Sequence, residues 1–505
     1  MKLPRTGDEA VAKSGPVRHT TLFIAMATSF VIPFAGSSLS IAIPFIGEEF
    51  RAAVTSLSWV ISAMMLTNIA LSVPFGRFAD LWGKRRVLNV GLLIFSAGTL
   101  AGAFAPTLAF LIALRVVQGV GGAMIVATNM AILMDVFPAR ERGRVLGLAV
   151  MCTYIGLSLG PVLGGLITHN LGWRAVFVMT ATVTLITFVA AFVGRPRLPK
   201  GVAAPVSPAT PAAPTPSVAS ATPVALATPA AAPPATPAAP VAISPVSIIL
   251  YMTAMLSFMY GFTVFAQHIY SYFFLGAGLI LFVLFAWHES RVASPVIEVR
   301  LFKGNRNYVF SNLAALLNYA ATFALGYILA IYLEVVKGYQ PDIAGLILVA
   351  QPVLMAIVSP IAGRLSDRWS PFKISSIGMA ICALSMLSFL FVSQDSPLIH
   401  VVVNLMVVGF GFGVFSSPNT NAVMSCVSNR DFSVANSILN TMRSVGQVSS
   451  MAIITIVTHF TVGNALIEEA GAAGIMRTFN TTFIVFAVIC AAGVLLSLNR
   501  KHTKR

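Results

Sequence analysis

The chain has 505 residues, 57% of them hydrophobic and only 10% charged, with a formal net charge of +16. Apolar runs of about 20 residues, the length that crosses a ~30 Å hydrocarbon layer as helix, recur along almost all of it. That composition gives an all-α polytopic membrane protein. It excludes a strand barrel, because the runs are continuous rather than alternating.

Residues 1–19 are polar and basic for longer than a cleaved signal and read as a cytoplasmic tail. Spans follow near 20–46, 55–76, 87–105, 108–133, 143–168 and 174–194, forming a six-helix N-terminal bundle, 20–194. Residues 195–245 open with RPRLPK and continue as an Ala/Thr/Pro tract. Repeated proline removes backbone donors, so this is an extended cytoplasmic linker. Two additional spans, near 246–265 and 270–287, fill 246–287, and a cytoplasmic loop follows at 288–308. The C-terminal bundle, 309–498, holds spans near 309–335, 342–363, 373–393, 398–424, 433–460 and 479–498, and a cytoplasmic tail ends the chain at 499–505. The expected count is fourteen transmembrane helices, numbered spans 1 to 14 below.

Charge placement orients the spans. Of 32 Lys and Arg, 26 fall on one side, four on the other (Arg51, Arg174, Lys337, Arg477), and Arg115 and Arg443 fall inside spans. The positive-inside rule makes the basic side and both termini cytoplasmic. Nucleic acid is therefore not needed as a partner to explain the charge. Between Lys200 and Glu289 there is no charged residue, and both flanks are basic, so an even number of spans lies between them. The four cysteines fall in spans and show no disulfide or metal spacing. No nucleotide loop, nucleophile triad or metal cluster is present in the sequence, so neither an enzyme nor a cofactor is expected.

The two bundles repeat each other. GRFADLWGKRR (76–86) joins spans 2 and 3, and GRLSDRWSPFK (363–373) joins spans 10 and 11. RVVQGVGGAMIVATNMAILM (115–134) matches LMVVGFGFGVFSSPNTNAVM (405–424), with Asn129 against Asn419 and Met134 against Met424. A duplicated helix bundle is a transporter architecture, with the substrate bound between the halves near the midplane. In each loop a carboxylate, Asp80 or Asp367, stands among cations: Lys84 and Arg85 in the first copy, Arg368 in the second. Such a group can accept from backbone N–H groups at the start of a neighbouring helix and pair with a loop cation, latching the halves on the cytoplasmic side. The bland alternative is a basic loop that only sets topology. The second copy lacks the later glycine, so a weaker latch is expected there.

On these residues the chain resembles the major facilitator superfamily, and within it the fourteen-span drug:proton antiporter branch. The loop signature is matched by Gly76, Asp80, Gly83, Lys84 and Arg85, and its repeat by Gly363, Asp367 and Arg368. The span-4 signature is matched by Arg115, Gln118 and Gly119. The exporter signature of span 5 is matched by Gly156, Gly160, Pro161, Gly164 and Gly165, and Arg443 with Gly446 matches an element of span 13. The resemblance implies multidrug-type efflux by proton antiport across the plasma membrane. One position departs from it: span 1 reads FAGSSLSIAIPFIG, with Ala35 where the branch often carries Asp.

Proton coupling needs a group whose affinity for protons changes as access alternates. Arg115, Asp135, Glu334 and Arg443 are the candidates. An intramembrane arginine must face a polar cavity or partner; the alternative for Arg115 is a structural bond to carbonyls of the next helix. Asp135 and Glu334 stand at helix ends, where a solvated charge is the ordinary reading. An apolar cavity with a few polar anchors is expected from Asn68, Gln118, Met124, Asn129, Asn318, Tyr319, Gln351, Asn419 and Asn421. The expected function is export of apolar or amphipathic small molecules, with the bilayer, protons and a small-molecule substrate as partners. Export of one specific metabolite, peptide or lipid is an alternative, as is a transporter-shaped sensor or scaffold that no longer pumps.

Overall fold

The computed structural model describes residues 15–51, 54–193, 244–263, 270–292, 295–297, 301–302, 304–462 and 467–498. The linker assigned to 195–245, apart from its last two residues, and the tail assigned to 499–505 lie outside them. Among the described residues every regular element is a helix, because a segment in lipid must satisfy its backbone groups within itself.

Span 1 is Gly15–Phe50, span 2 Val54–Trp82, span 3 Lys84–Gly102, span 4 Leu108–Val136, span 5 Arg142–Leu171 and span 6 Trp173–Val193. Span 7 is Pro245–Thr263 and span 8 Ser271–Glu289. Span 9 runs Arg306–Thr322 and Leu325–Ile331 and closes on a π-helical turn, Tyr332–Val336. Span 10 is Pro341–Leu348 continued by Ala350–Arg368, span 11 Pro371–Phe389, span 12 Leu398–Ser425, span 13 Phe432–Val462 and span 14 Ile467–Leu498. Thirteen of these are long and apolar enough to cross a membrane. The stretch expected as the remaining span, Lys84–Gly102, is a helix packed among the others, but it starts on Lys-Arg-Arg and does not fall among the thirteen.

Local chemistry sets the ends. Thr107 caps span 4 by accepting from Phe110 N at 3.3 Å, and Asn305 caps span 9 by accepting from Tyr308 N at 3.2 Å. Pro341 and Pro371 stand in the first turns of their helices, where a missing N–H costs nothing. Gly83 (φ 103°) lets the chain leave span 2 and enter span 3 within one residue. Span 2 is longer than expected. GRFAD continues the helix to Trp82 rather than forming a loop, since a helix can run past the hydrocarbon on polar residues. Span 14 likewise starts well before the expected residue 479.

Helix packing repeats with the sequence. Span 1 lies along span 5 and span 9 along span 13. Span 4 packs on spans 2 and 3, and span 12 on spans 10 and 11. Span 6 covers spans 1 and 3, and span 14 covers spans 9 and 11. The two sets meet along spans 5 and 10 and along spans 2 and 13, with spans 4 and 12 each touching span 13 or span 5 of the other set. Span 7 packs on spans 2 and 13 beside the seam, with Met255 and Met259 against Ile69 and Ala70, and span 8 packs on span 7.

Candidate functional site

The site is built first at the basic end of the bundle. Asp80, its side chain 1% exposed, accepts from Ser433 N at 3.1 Å and from Val434 N at 3.0 Å. Those amides belong to the first turn of span 13, whose N–H groups have no partner within their own helix. Asp367 does the same to span 5, accepting from Gly143 N at 2.6 Å and Arg144 N at 2.8 Å. Each carboxylate thus ties its own half to the other half, at a helix end where the dipole favours a negative charge.

The surroundings of the two bonds differ. Lys84 lies 3.9 Å from Asp80, pairs with Asp135 at 2.9 Å and donates to the Asn429 carbonyl at 3.1 Å, adding a cation that crosses the seam. Phe432 sits beneath it, with Lys84 Nζ and the Arg142 guanidinium each 5.2 Å from the ring centroid. Arg368, the corresponding cation of the second copy, is exposed. The second copy's backbone bonds are nonetheless the shorter pair. They do not depend on its missing glycine, because the acceptor stands on the end of span 10 and the donors on span 5. Arg85 is half-buried beside Thr20, Asn89 and Asn129. Gly76 and Gly363 allow the approach: a Cβ on Gly76 would lie 2.9 Å from the Ser433 carbonyl oxygen, and one on Gly363 would run into the Gly143 carbonyl.

The span-5 glycines face span 1. Gly156 packs on the Phe30 backbone, Gly160 on Ser37, and Gly164 on Ser38, whose Cα would be 2.7 Å from an added Cβ. Ser37 also donates to the Gly156 carbonyl at 3.3 Å. Pro161 lies within this helix. At the far end Glu49 pairs with Arg174 at 2.6 Å and accepts from Trp173 Nε1 at 2.8 Å, so spans 1 and 6 are joined there. The Arg174 bond, then the Trp173 bond, hold the Glu49 carboxyl below its ordinary value.

The coupling candidates separate. Arg115 is 2% exposed, and donates through Nε to the Val60 carbonyl at 2.7 Å and through Nη1 to Gln118 Oε1. Gln118 passes the chain on to Thr99 Oγ1 at 2.5 Å, so the guanidinium fastens spans 2, 3 and 4 together. Asp135, 41% exposed, is engaged by Lys84 at the basic rim, and Glu334 is exposed on the π-helical turn. Arg443 stands eleven residues into span 13, about 16 Å along the helix from its start. It donates through Nη2 to Thr420 Oγ1 at 2.6 Å and lies 5.7 Å from the Tyr319 ring centroid.

The cavity candidates separate too. Asn129 donates to Ser29 Oγ at 2.8 Å and Asn419 to the Ser311 carbonyl at 3.1 Å, so each ties the fourth helix of its half to the first. Asn421 reaches Ser366 Oγ at 3.0 Å, next to the Asp367 bond. Asn318 is fully buried beside Cys382. Asn68, Met124, Tyr319 and Gln351 are half-buried, each packed against a glycine of a neighbouring helix: Gly122, Gly91, Gly446 and Gly409. Two residues that sequence reasoning missed also cross the seam. Asn436 of span 13 donates to the Val126 carbonyl of span 4 at 2.6 Å, and Tyr154 of span 5 hydrogen-bonds Ser416 Oγ of span 12 at 3.3 Å. The signal for Asn436 was available as a polar side chain inside an apolar run.

Comparison with known proteins places the two-bundle chain among transporters. The Riboflavin transporter RibZ of Clostridioides difficile is 27% identical over 479 residues, covering 94% of this chain and 96% of that protein. The Multidrug efflux pump LfrA of Mycolicibacterium smegmatis is 25% identical over 454 residues, covering 88% and 82%. Among solved structures the proton:xylose symporter XylE, 11% identical, superposes with a TM-score of 0.60 over 93% of this chain and 94% of that one, which shows the shared fold. The sequence pattern of the Major Facilitator Superfamily matches residues 25–310 and 311–505. This chain is a multi-pass membrane transporter of the major facilitator superfamily.

Proposed function

We propose that the protein is a secondary active exporter that moves apolar or amphipathic small molecules out of the cell by alternating access, in exchange for protons. It sits in the plasma membrane with the basic rim and both termini in the cytoplasm. The observation that carries the reading is the pair of cross-seam carboxylate bonds, Asp80 to span 13 and Asp367 to span 5, at matching places in the two halves. Bonds of this kind close one face and must break when the other closes. A ligand or proton that prefers one of the two states then shifts the balance between them. The glycine face of span 5 and the efflux pump among the relatives support the outward direction.

Reconstitution in proteoliposomes with an imposed pH gradient tests it. Efflux of substrate should follow the gradient and collapse with a protonophore, and Asp80→Asn should reduce the rate at least tenfold. Transport indifferent to the gradient removes the proton antiport. A narrower reading, export of one metabolite, is favoured by the 27% identity to a protein named as a riboflavin transporter over nearly the whole chain. Riboflavin competing with a reporter substrate at micromolar concentration would support that reading; no competition would remove it.

A further inference from the structure

Among the described residues, Arg443, deep in span 13, is a cation with hydrogen-bonding capacity to spare. A guanidinium presents five N–H donors in a rigid fork that matches a carboxylate. Arg443 uses its fork for the Thr420 hydroxyl, and its Nε is buried without an acceptor. Arg115, the other interior arginine, is held by a backbone carbonyl and Gln118.

Among the described residues no ion pair joins a carboxylate to Arg443. Their acidic residues lie in loops or close to helix ends, and their ion pairs gather there: Glu49–Arg174, Lys84–Asp135 and Arg18–Glu141. Span 1 offers no charge to the interior at Ala35, which is buried. In a low-dielectric interior an uncompensated guanidinium attracts an anion and repels a cation far more strongly than it would in water.

The groups around it are aromatic and come from both halves. The Tyr319 ring of span 9 lies 5.7 Å from the guanidinium and meets Phe412 edge-on at 5.0 Å. Tyr154 of span 5 meets the same Phe412 at 5.9 Å, and its hydroxyl bonds Ser416 Oγ at 3.3 Å. Arg443 and Tyr319 are half-buried, so this cluster has an accessible face.

We propose that Arg443 anchors the negatively charged group of the transported molecule, with Tyr154 and Tyr319 flanking its flat body, so that the preferred substrates are small aromatic organic anions. This rests on the transporter reading above but is tested by binding, which does not require transport. The probes are two xanthene dyes of one ring system, anionic fluorescein and cationic rhodamine 6G. Their fluorescence anisotropy is read with the full chain in nanodiscs, after subtraction of empty nanodiscs. Wild type should bind fluorescein at least tenfold more tightly than rhodamine 6G. Arg443→Gln should lose that preference, and Arg443→Lys, which keeps the charge without the fork, should retain part of it. Melting temperatures separate a lost anchor from a misfolded variant, and the Lys variant keeps the test open if the Gln variant does not fold. Equal or reversed affinity for the two dyes, no fluorescein binding, or fluorescein binding unchanged in a folded Arg443→Gln would overturn the proposal. Binding as expected with no dye flux in proteoliposomes would leave the anchor standing and bring down the transport reading instead.

Discussion

Asp80 and Asp367 show how a single carboxylate can govern a large motion. Each replaces two unpaired amides of a helix first turn with charge-assisted bonds. An amide side chain keeps the shape but loses the charge and one of the two acceptors. Removing one such set should cost about 1–2 kcal/mol of the rim-closed state, which moves its population roughly five- to thirty-fold. Arg140 and Arg364 are exposed at the rim on opposite halves and suit spin labels. Distances between labels placed there, in a background without the native cysteines, should show a longer population in Asp80→Asn and in Asp367→Asn, and a dominant one in the double variant. Because the Asp367 bonds are 2.6 and 2.8 Å, the second single variant should open the rim at least as far as the first. A distance distribution that did not change in either variant would leave the carboxylates without a gating role.

Among elements, the contact of span 5 with span 1 is the most demanding. A Cβ on Gly156, Gly160 or Gly164 would press into span 1 at Phe30, Ser37 or Ser38, so three glycines spaced four apart bring the two backbones together over two turns. Gly160→Val places its branches against Ser37 with no rotamer that avoids it. It should lower the melting temperature in detergent by several degrees, consistent with about 1–3 kcal/mol of overpacking, while Leu157→Val, which changes an exposed side chain, should not. Equal melting of the two variants would mean that the helices are not in this register. The glycine spacing was legible from sequence because it recurs along one helix face, and the spans were legible because lipid enforces their length. The partners were not. Nothing in GRFADLWGKRR says that Asp80 meets Ser433, since that pairing depends on how two bundles dock. Arg443 was legible as a cation inside its span, whose expected start near 433 lies one residue from Phe432, but its bond to Thr420 was not. The break in span 9 was also hidden, because its freed Ala324 N–H is satisfied from another helix, by Ser450 Oγ at 3.0 Å. Tyr154 carried no signal at all, since one aromatic residue in an apolar helix reads as core.

At the scale of the whole molecule, the distribution of charge decides which driving force suits the transporter. Cations crowd one rim, acids stay at helix ends, and the residues between hold Arg115 and Arg443 with no acid paired to either among the described residues. Such an interior is poorly suited to carrying a second cation through the bundle and well suited to an anion. A cell interior that is negative by 100 mV releases about 2.3 kcal/mol for each negative charge moved outward, equivalent to roughly a fifty-fold concentration ratio. A proton entering in exchange adds the same amount again, so an anion-for-proton exchange draws on the potential twice. The consequence can be measured without a pH gradient. In proteoliposomes holding a potassium diffusion potential set by valinomycin, with pH equal on both sides, efflux of fluorescein should accelerate as the compartment facing the basic rim is made more negative. The acceleration should be lost in Arg443→Gln and should survive clamping of the pH. A rate independent of the potential would mean that the exported species is neutral or that its charge is cancelled by a co-moving ion, and the positive interior would then need a different explanation.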